Sequence, residues 1–128
     1  MGTARGLVLL VDDDPDLREA LQLVLELNGY QVEVARDGAD ALARLAGPPL
    51  PSVVLLDVMM PGMNGVEFRE RQRNDPRLRD LPVVLLTGAG PRAVDPALTH
   101  GAVVLRKPFD FDQLFALLDE LCAAPAAS

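Results

Sequence analysis

The chain has 128 residues, 49% of them hydrophobic, and a formal net charge of −7 at pH 7. A chain of this length forms one domain around a single core, and its acidic balance disfavours sequence-independent binding to nucleic acid or to an anionic membrane surface. Its apolar runs are shorter than the ~20 residues that a membrane-spanning helix needs, and its first residues lack the apolar segment of a signal peptide.

Strand and helix patterns alternate along the chain. Short runs rich in Val and Leu, which are typical of strands, stand at 6–11, 31–35, 52–57, 82–87 and 102–107. Helical patterns follow each of them, at 15–28, 39–46, 65–74, 91–100 and 111–123. The run QVEVA alternates polar and apolar residues and predicts an edge strand. The other four runs do not alternate, which predicts strands covered on both faces, as in a parallel sheet.

Capping residues mark the ends of the predicted helices. Asp13 or Asp14 is expected to cap the first helix, with Pro15 in its first turn and Gly29 directly after its end. Asp110 is expected to cap the last helix in the same way. Repeated strand–helix alternation then predicts an α/β doubly wound parallel sheet with right-handed crossovers and helices on both faces.

The single cysteine, Cys122, lies on the apolar side of the last helical pattern. It excludes an internal disulfide and favours a reducing, cytoplasmic location, and we expect it to pack as an inert apolar group.

We assign residues 1–122 to the domain and 123–128 to a flexible C-terminal tail.

Polar residues stand where the predicted buried strands end. Asp12 and Asp13 follow the first strand, while Asp57, Thr87 and Lys107 end later ones. In open α/β sheets the ligand crevice lies beyond the carboxyl ends of the strands, where the strand order reverses. If the edge strand lies beside the first strand, the third strand lies on its other side, and Asp12 and Asp13 then face Asp57.

Three converging carboxylates repel one another, and a hard divalent cation relieves that repulsion. Mg²⁺ takes oxygen ligands and keeps several waters, so the cluster predicts a Mg²⁺ site. A carboxylate oxygen that stays off the cation could attack a phosphorus atom and form an aspartyl phosphate. Thr87 Oγ and Lys107 Nζ would then donate to the added phosphoryl oxygens. Asp14 is expected to cap the first helix rather than to bind the cation.

Four sequence motifs together carry a family resemblance. They are LVLLVDDDPDLREAL (7–21), VVLLDVMMPGMNGVEF (53–68), VVLLTGAG (83–90) and VLRKPF (104–109). In this order they resemble the receiver domain of two-component response regulators, over residues 6–121. The resemblance implies a flavodoxin-like (βα)5 fold with strand order 2-1-3-4-5. It also implies a switch that takes a phosphoryl group from a histidine kinase or a histidine phosphotransfer protein.

The resemblance further implies which residues hold the cation and the phosphoryl group. Asp57 would be the phosphoacceptor and would also contact Mg²⁺. Asp13 would bind the cation directly and Asp12 mainly through water. The backbone carbonyl of Met59 would be another ligand. Met59 and Ala89 carry no amide or acid to orient an attacking water, so we expect slow autodephosphorylation.

The resemblance also implies roles for two residues that end later strands. Thr87 would be the switch hydroxyl, and Lys107, before an expected cis Pro108, would pair with the phosphoryl group.

Two departures from the family pattern concern the output of the switch. Val104 stands where the family usually has an aromatic switch residue. The segment between Thr87 and Lys107 is also about two residues shorter than usual and contains Pro96. We therefore expect intact phosphorylation chemistry and an altered coupling to the output.

The expected role is a signalling switch rather than a turnover enzyme, one that catalyses only its own phosphorylation and its slow dephosphorylation. We expect signalling through protein contacts, on the face formed by the 91–100 helix, the fifth strand and the last helix. Direct contacts with nucleic acid or membrane are not expected, and the chain is expected to be a monomer or a weak dimer.

Three alternatives compete with this interpretation. An interaction module that keeps the fold without using phosphate is favoured by Val104 and the short 91–100 helix. An aspartate-nucleophile phosphatase needs an Asp-x-Asp pair, which Asp12 and Asp14 provide, but also a cap domain for which the chain has no segment. A flavodoxin-like flavin module needs a phosphate-binding loop after the first strand, and DDDP is not one.

Overall fold

A computed structural model describes residues 6–57, 65–87, 102–106 and 110–123. Strands and helices alternate through this part of the chain. The strands are β1 (Leu7–Val11), β2 (Gln31–Ala35), β3 (Val53–Asp57), β4 (Val83–Thr87) and β5 (Val103–Arg106). The helices are α1 (Pro15–Leu27), α2 (Gly38–Leu45), α3 (Gly65–Arg73) and α4 (Phe111–Ala123).

The five strands form one parallel sheet in the order β2-β1-β3-β4-β5. Val11 in β1 pairs with Ala35 on one side and with Leu56 on the other. The chain order of the strands therefore reverses at β1, between an edge strand and β3. The predicted doubly wound topology is confirmed, and so is the edge position of β2.

Each strand contributes side chains to two apolar clusters, one on each face of the sheet. One cluster joins strand residues such as Leu9 and Leu56 to Phe68 of α3 and to residues of α2. The other joins Leu10 and Leu55 to the buried residues of α1 and α4. Residues at alternate positions of a strand point to opposite faces, which is why uninterrupted Val and Leu runs suit strands covered on both sides.

Side-chain caps fix where α1 begins and ends. Asp14 has extended backbone, and its carboxylate accepts hydrogen bonds from the N–H groups of Asp16 and Leu17. Asn28 is the C-terminal cap, and Gly29 follows with a φ of 92°, a value that glycine adopts without strain. Of the two candidate caps, Asp14 is the one used, and the helix ends one residue before the predicted boundary.

A buried polar contact fixes the connection between α3 and β4. Gln72 is fully buried, and its Nε2 donates to the carbonyls of Leu78 and Leu81, at 3.0 Å each. Its Oε1 accepts from Nη1 of the buried Arg69 at 2.6 Å. Burial, with a smaller contribution from Arg73, lowers the pKa of Arg69. These bonds hold the chain directly before β4, so they help to set the position of that strand beside β3.

Some predicted features lie outside the described residues, namely the 91–100 helix, Pro108 and most of the expected C-terminal tail. Val104, which replaces the family's usual aromatic residue, is partly buried against the α2–α3 side of the core. Within the part of the chain that the structure covers, no helix is both long and apolar enough to cross a membrane.

Candidate functional site

Asp12 lies at the point where β1 ends, and its backbone and side chain are both held. Its N–H donates to the carbonyl of Ala35 at 3.1 Å, which extends the β1–β2 ladder by one residue. Its Oδ1 accepts a hydrogen bond from the N–H of Asp14 at 2.9 Å. The residue is fully buried. A carboxylate therefore stands at a fixed position in the interior, directly before the helix.

Asp13 and Asp57 complete an acidic cluster with Asp12. One carboxylate oxygen from each of the three residues lies within 4.8 Å of the others. Asp57 ends β3 and is 5% exposed, whereas Asp13 is exposed. The neighbouring positions of β1 and β3 bring the three together, because the carboxyl ends of parallel strands share one edge of the sheet. The predicted convergence of these residues is confirmed.

The chemistry of this donor set fits a hard divalent cation. Two buried carboxylates and one exposed carboxylate supply only oxygen atoms, which Mg²⁺ prefers. The exposed side at Asp13 leaves room for water or for a substrate oxygen in the remaining coordination positions. Without a counter-ion, three negative charges at this separation repel one another. Asp12, Asp13 and Asp57 are therefore the residues that could hold the expected Mg²⁺.

Of the remaining predicted site residues, the structure describes the backbone of Thr87, which ends an adjacent strand. Asp57 pairs in register with Leu86, so Thr87 is one residue beyond that partner at the end of β4. Thr87 in turn pairs with Arg106 of β5. The Thr87 side chain, Lys107 and Met59 lie outside what the structure describes, and their roles stay predictions. Asp14 caps α1 as expected, and it is not part of the cluster.

Arg18 contacts the cluster but does not stand out in the sequence. It lies in α1, and its Nη1 donates to the backbone carbonyl of Asp12 at 2.8 Å. The position of Arg18 in the helix is the sequence feature that could have revealed this contact, because helical side chains lean toward the N-terminus of their helix. A long side chain four residues after the cap can therefore reach back to the end of the preceding strand.

Cys122 lies in α4, away from the acidic cluster. Its side chain packs against the apolar cluster shared by α1 and α4, and its thiol contacts the Ser52 hydroxyl. Burial raises the pKa of the Cys122 thiol, the charge of Asp119 raises it further, and the bond with Ser52 opposes the shift. A raised pKa keeps the thiol protonated and unreactive, in agreement with the predicted packing role.

Comparison with known proteins identifies the family. Residues 8–119 match the response regulator receiver domain family, which covers most of the chain. The chain belongs to this family. It is 39% identical over 124 residues to response regulator Rre1 of Synechocystis, an alignment that covers 94% of this chain and 53% of that protein. It is 42% identical over 118 residues to response regulator PleD of Caulobacter vibrioides, covering 89% of this chain and 25% of that protein.

Solved structures of receiver domains agree with the fold. The signal receiver domain of a histidine kinase from Syntrophus aciditrophicus superposes with a TM-score of 0.83 at 32% identity, covering 96% of this chain and 94% of that one. Chemotaxis response regulator CheY4 of Vibrio cholerae superposes with a TM-score of 0.75 at 30% identity, covering 94% and 99%. The alignments with the curated regulators Rre1 and PleD cover only 53% and 25% of those proteins, so the chain spans about half of one and a quarter of the other.

Proposed function

We propose that this receiver domain accepts a phosphoryl group on Asp57 from a histidine kinase or a histidine phosphotransfer protein, with Mg²⁺ as cofactor. The observation that carries the proposal is the acidic cluster of Asp12, Asp13 and Asp57, whose oxygens lie within 4.8 Å at the point where the strand order reverses. Receiver domains of this family are signalling switches rather than turnover enzymes.

In the proposed reaction a carboxylate oxygen of Asp57 attacks the phosphorus atom of a phosphohistidine. The new bond joins this oxygen to phosphorus, the bond between phosphorus and the histidine nitrogen breaks, and that nitrogen leaves with the electron pair. Bound Mg²⁺ would neutralise part of the negative charge on the carboxylates and the phosphoryl oxygens. Asp57 suits the nucleophile's role because the end of a buried strand fixes its position.

Asp13 and Asp12 would hold the cation, the exposed Asp13 directly and the buried Asp12 mainly through water. The backbone carbonyl of Met59 would add a further oxygen ligand. Thr87 and Lys107 would donate hydrogen bonds to the phosphoryl oxygens. The register supports this set, because Thr87 lies one residue beyond the partner of Asp57 and Lys107 directly follows the partner of Thr87.

Signalling would follow through protein contacts on the side of β5 and α4, together with the 91–100 segment. Val104 has no ring to move when the switch hydroxyl moves, so the coupling would differ from that of family members with an aromatic residue there. Slow loss of the phosphoryl group is part of the same proposal. Met59 and Ala89 offer no amide or acid to orient water.

The proposal is tested by incubating the protein with Mg²⁺ and acetyl phosphate and then measuring the intact mass. We expect wild type to gain one phosphoryl group, and the same sample in EDTA to gain none. Asp57→Asn should abolish labelling, while the matched change Asp80→Asn at an exposed aspartate should leave it intact.

Absence of labelling in wild type, under conditions that label another receiver domain, would favour the phosphate-independent interaction module. Val104 favours this second function, because a partly buried valine stands where the family usually has an aromatic switch residue. Labelling that survives Asp57→Asn would instead show that another residue is the acceptor.

A further inference from the structure

Arg18 connects the first turns of α1 to the end of β1. Its N–H donates to the carbonyl of Asp14 at 2.9 Å, as in a regular helix, and its half-buried side chain turns back toward the strand. Nη1 reaches the carbonyl of Asp12 at 2.8 Å. This is a short bond from a charged donor, a class roughly twice as strong as a bond between neutral groups. One of the five N–H donors of the guanidinium therefore satisfies the carbonyl of the residue that follows β1.

The bond from Arg18 is one of several contacts that hold the backbone at Asp12. The N–H of Asp12 bonds to β2, and its Oδ1 accepts from Asp14. The carbonyl that Arg18 holds belongs to the same planar peptide unit as the N–H of Asp13. Fixing that carbonyl restricts the orientation of the whole unit, and with it the direction from which the Asp13 side chain departs.

We propose that Arg18 is a positioning residue for the cation site, which sets the geometry of the Asp12–Asp13 backbone and thereby the affinity and selectivity for Mg²⁺. The inference rests on the proposed function, because it assumes that the acidic cluster binds a cation. Arg18 itself cannot be a ligand, since a guanidinium has no acceptor atom.

Two effects of Arg18 on cation binding have opposite signs, which makes the proposal testable. As a positive charge beside the cluster, Arg18 repels a cation, so removing only its charge tightens binding. As a support for the ligands, it favours binding, and loss of such supporting bonds typically weakens metal affinity about 10- to 100-fold. The two effects predict changes in opposite directions for the same variant.

The experiment titrates wild type and Arg18→Met with Mg²⁺ and with Ca²⁺ by calorimetry. We expect Arg18→Met to bind Mg²⁺ about 10-fold more weakly, because Mg²⁺ demands near-ideal octahedral geometry. Ca²⁺ accepts variable geometry, so its affinity should fall by less than about threefold. If Arg18 had only a general structural role, Arg18→Met would weaken the binding of Mg²⁺ and of Ca²⁺ by the same factor, and it would also lower the melting temperature in EDTA.

Two further variants complete the design. Arg18→Lys keeps the charge and an N–H donor on a shorter side chain, so it retains part of the support, and its Mg²⁺ affinity should fall between those of wild type and Arg18→Met. It replaces Arg18→Met in the test if the Met variant does not fold. Arg44→Met removes an equal charge from the last turn of α2, at the other end of the sheet. It should bind Mg²⁺ as wild type does.

Each outcome has a defined consequence. Unchanged or tighter Mg²⁺ binding by Arg18→Met, or equal loss for both ions, overturns the positioning role and leaves the proposed function standing. Mg²⁺ binding by Arg18→Lys that is tighter than in wild type or weaker than in Arg18→Met overturns it too, because a lysine keeps the charge and keeps at most the same support of the carbonyl. A wild-type protein that binds no Mg²⁺ overturns the proposed cation site and the Arg18 proposal together.

Discussion

Replacing Asp57 by Asn should stabilise the protein when no divalent cation is present. The oxygens of Asp12, Asp13 and Asp57 lie within 4.8 Å of one another, a distance at which two unit charges repel by about 3.5 kcal/mol at an effective dielectric constant of ~20 and by about 1 kcal/mol in bulk water. The buried pair of Asp12 and Asp57 belongs near the first value. The pair that includes the exposed Asp13 belongs near the second.

The variant therefore removes several kcal/mol of repulsion, and an amide oxygen, which accepts weaker hydrogen bonds than a carboxylate, offsets part of this gain. We expect a net increase of at least about 1 kcal/mol in the free energy of unfolding, or roughly 4 °C in Tm. The measurement is urea and thermal unfolding in EDTA at low ionic strength, followed by circular dichroism. Asp80→Asn, at an exposed position, is the control and should change little.

Addition of Mg²⁺ provides the complementary half of this test. A cation at 100 times its Kd stabilises a folded protein that binds it by about 2.7 kcal/mol, so wild type should gain stability and Asp57→Asn should gain much less. Equal stability of the two proteins in EDTA would refute the assumption that repulsion strains the cluster. An equal Mg²⁺ gain in both would refute the assignment of Asp57 to the cation site.

Three further changes test the cap of α1, the buried contact before β4 and the environment of the Cys122 thiol. Asp14→Ala removes the cap of α1 and should lower the free energy of unfolding by about 1 kcal/mol in urea titrations; a loss as small as that of Asp16→Ala would contradict the capping role. Gln72→Leu removes the donor of the buried Leu78 carbonyl and of the partly buried Leu81 carbonyl, so it should lower stability by about 2–4 kcal/mol, while Gln22→Leu on the surface of α1 should change it little. Because the pKa of Cys122 is raised in the folded protein, the folded state holds the thiol proton more tightly than the unfolded state. Stability should therefore fall as pH rises above the thiol's ordinary pKa, and Cys122→Ala should lack that component of the decrease in unfolding curves measured from pH 7 to about 10.

The sheet and the acidic cluster were predictable because each depends on a local pattern. The uninterrupted apolar runs predict strands covered on both faces, and QVEVA is typical of an edge strand. The full order of the strands came from the family resemblance, not from these local patterns. Once β1 and β3 are neighbours, Asp12, Asp13 and Asp57 must meet, since all three stand where those strands end. The ends of the four helices that the structure describes lie within a residue of prediction, because caps such as Asp14 act on adjacent residues.

Contacts made by long polar side chains were not predictable in this way. The α3 sequence GVEFRERQR is strongly polar and would be assigned to the surface apart from Phe68. Arg69 and Gln72 are nevertheless buried. The chain leading into β4 supplies carbonyls that accept hydrogen bonds from Gln72, and the Gln72 side-chain oxygen accepts one from Arg69. Burial here depends on the path of a connection, which no periodicity in the helix encodes. The Arg18 bond is similar, since its acceptor lies six residues earlier in a different element.

The stretch DDDP shows why three consecutive carboxylates are compatible with a stable fold. Each of the three has a different environment. Asp12 is buried and accepts from Asp14, Asp13 is exposed, and Asp14 accepts two N–H groups at the positive end of the α1 dipole. The repulsion is thereby concentrated where the chain meets Asp57, and the Asp14 charge is used to begin α1. Arg18 lies in the first turns of the helix that Asp14 caps, and from there its side chain reaches the Asp12 carbonyl. The capping residue and the proposed positioning residue therefore both bond to the segment that follows β1.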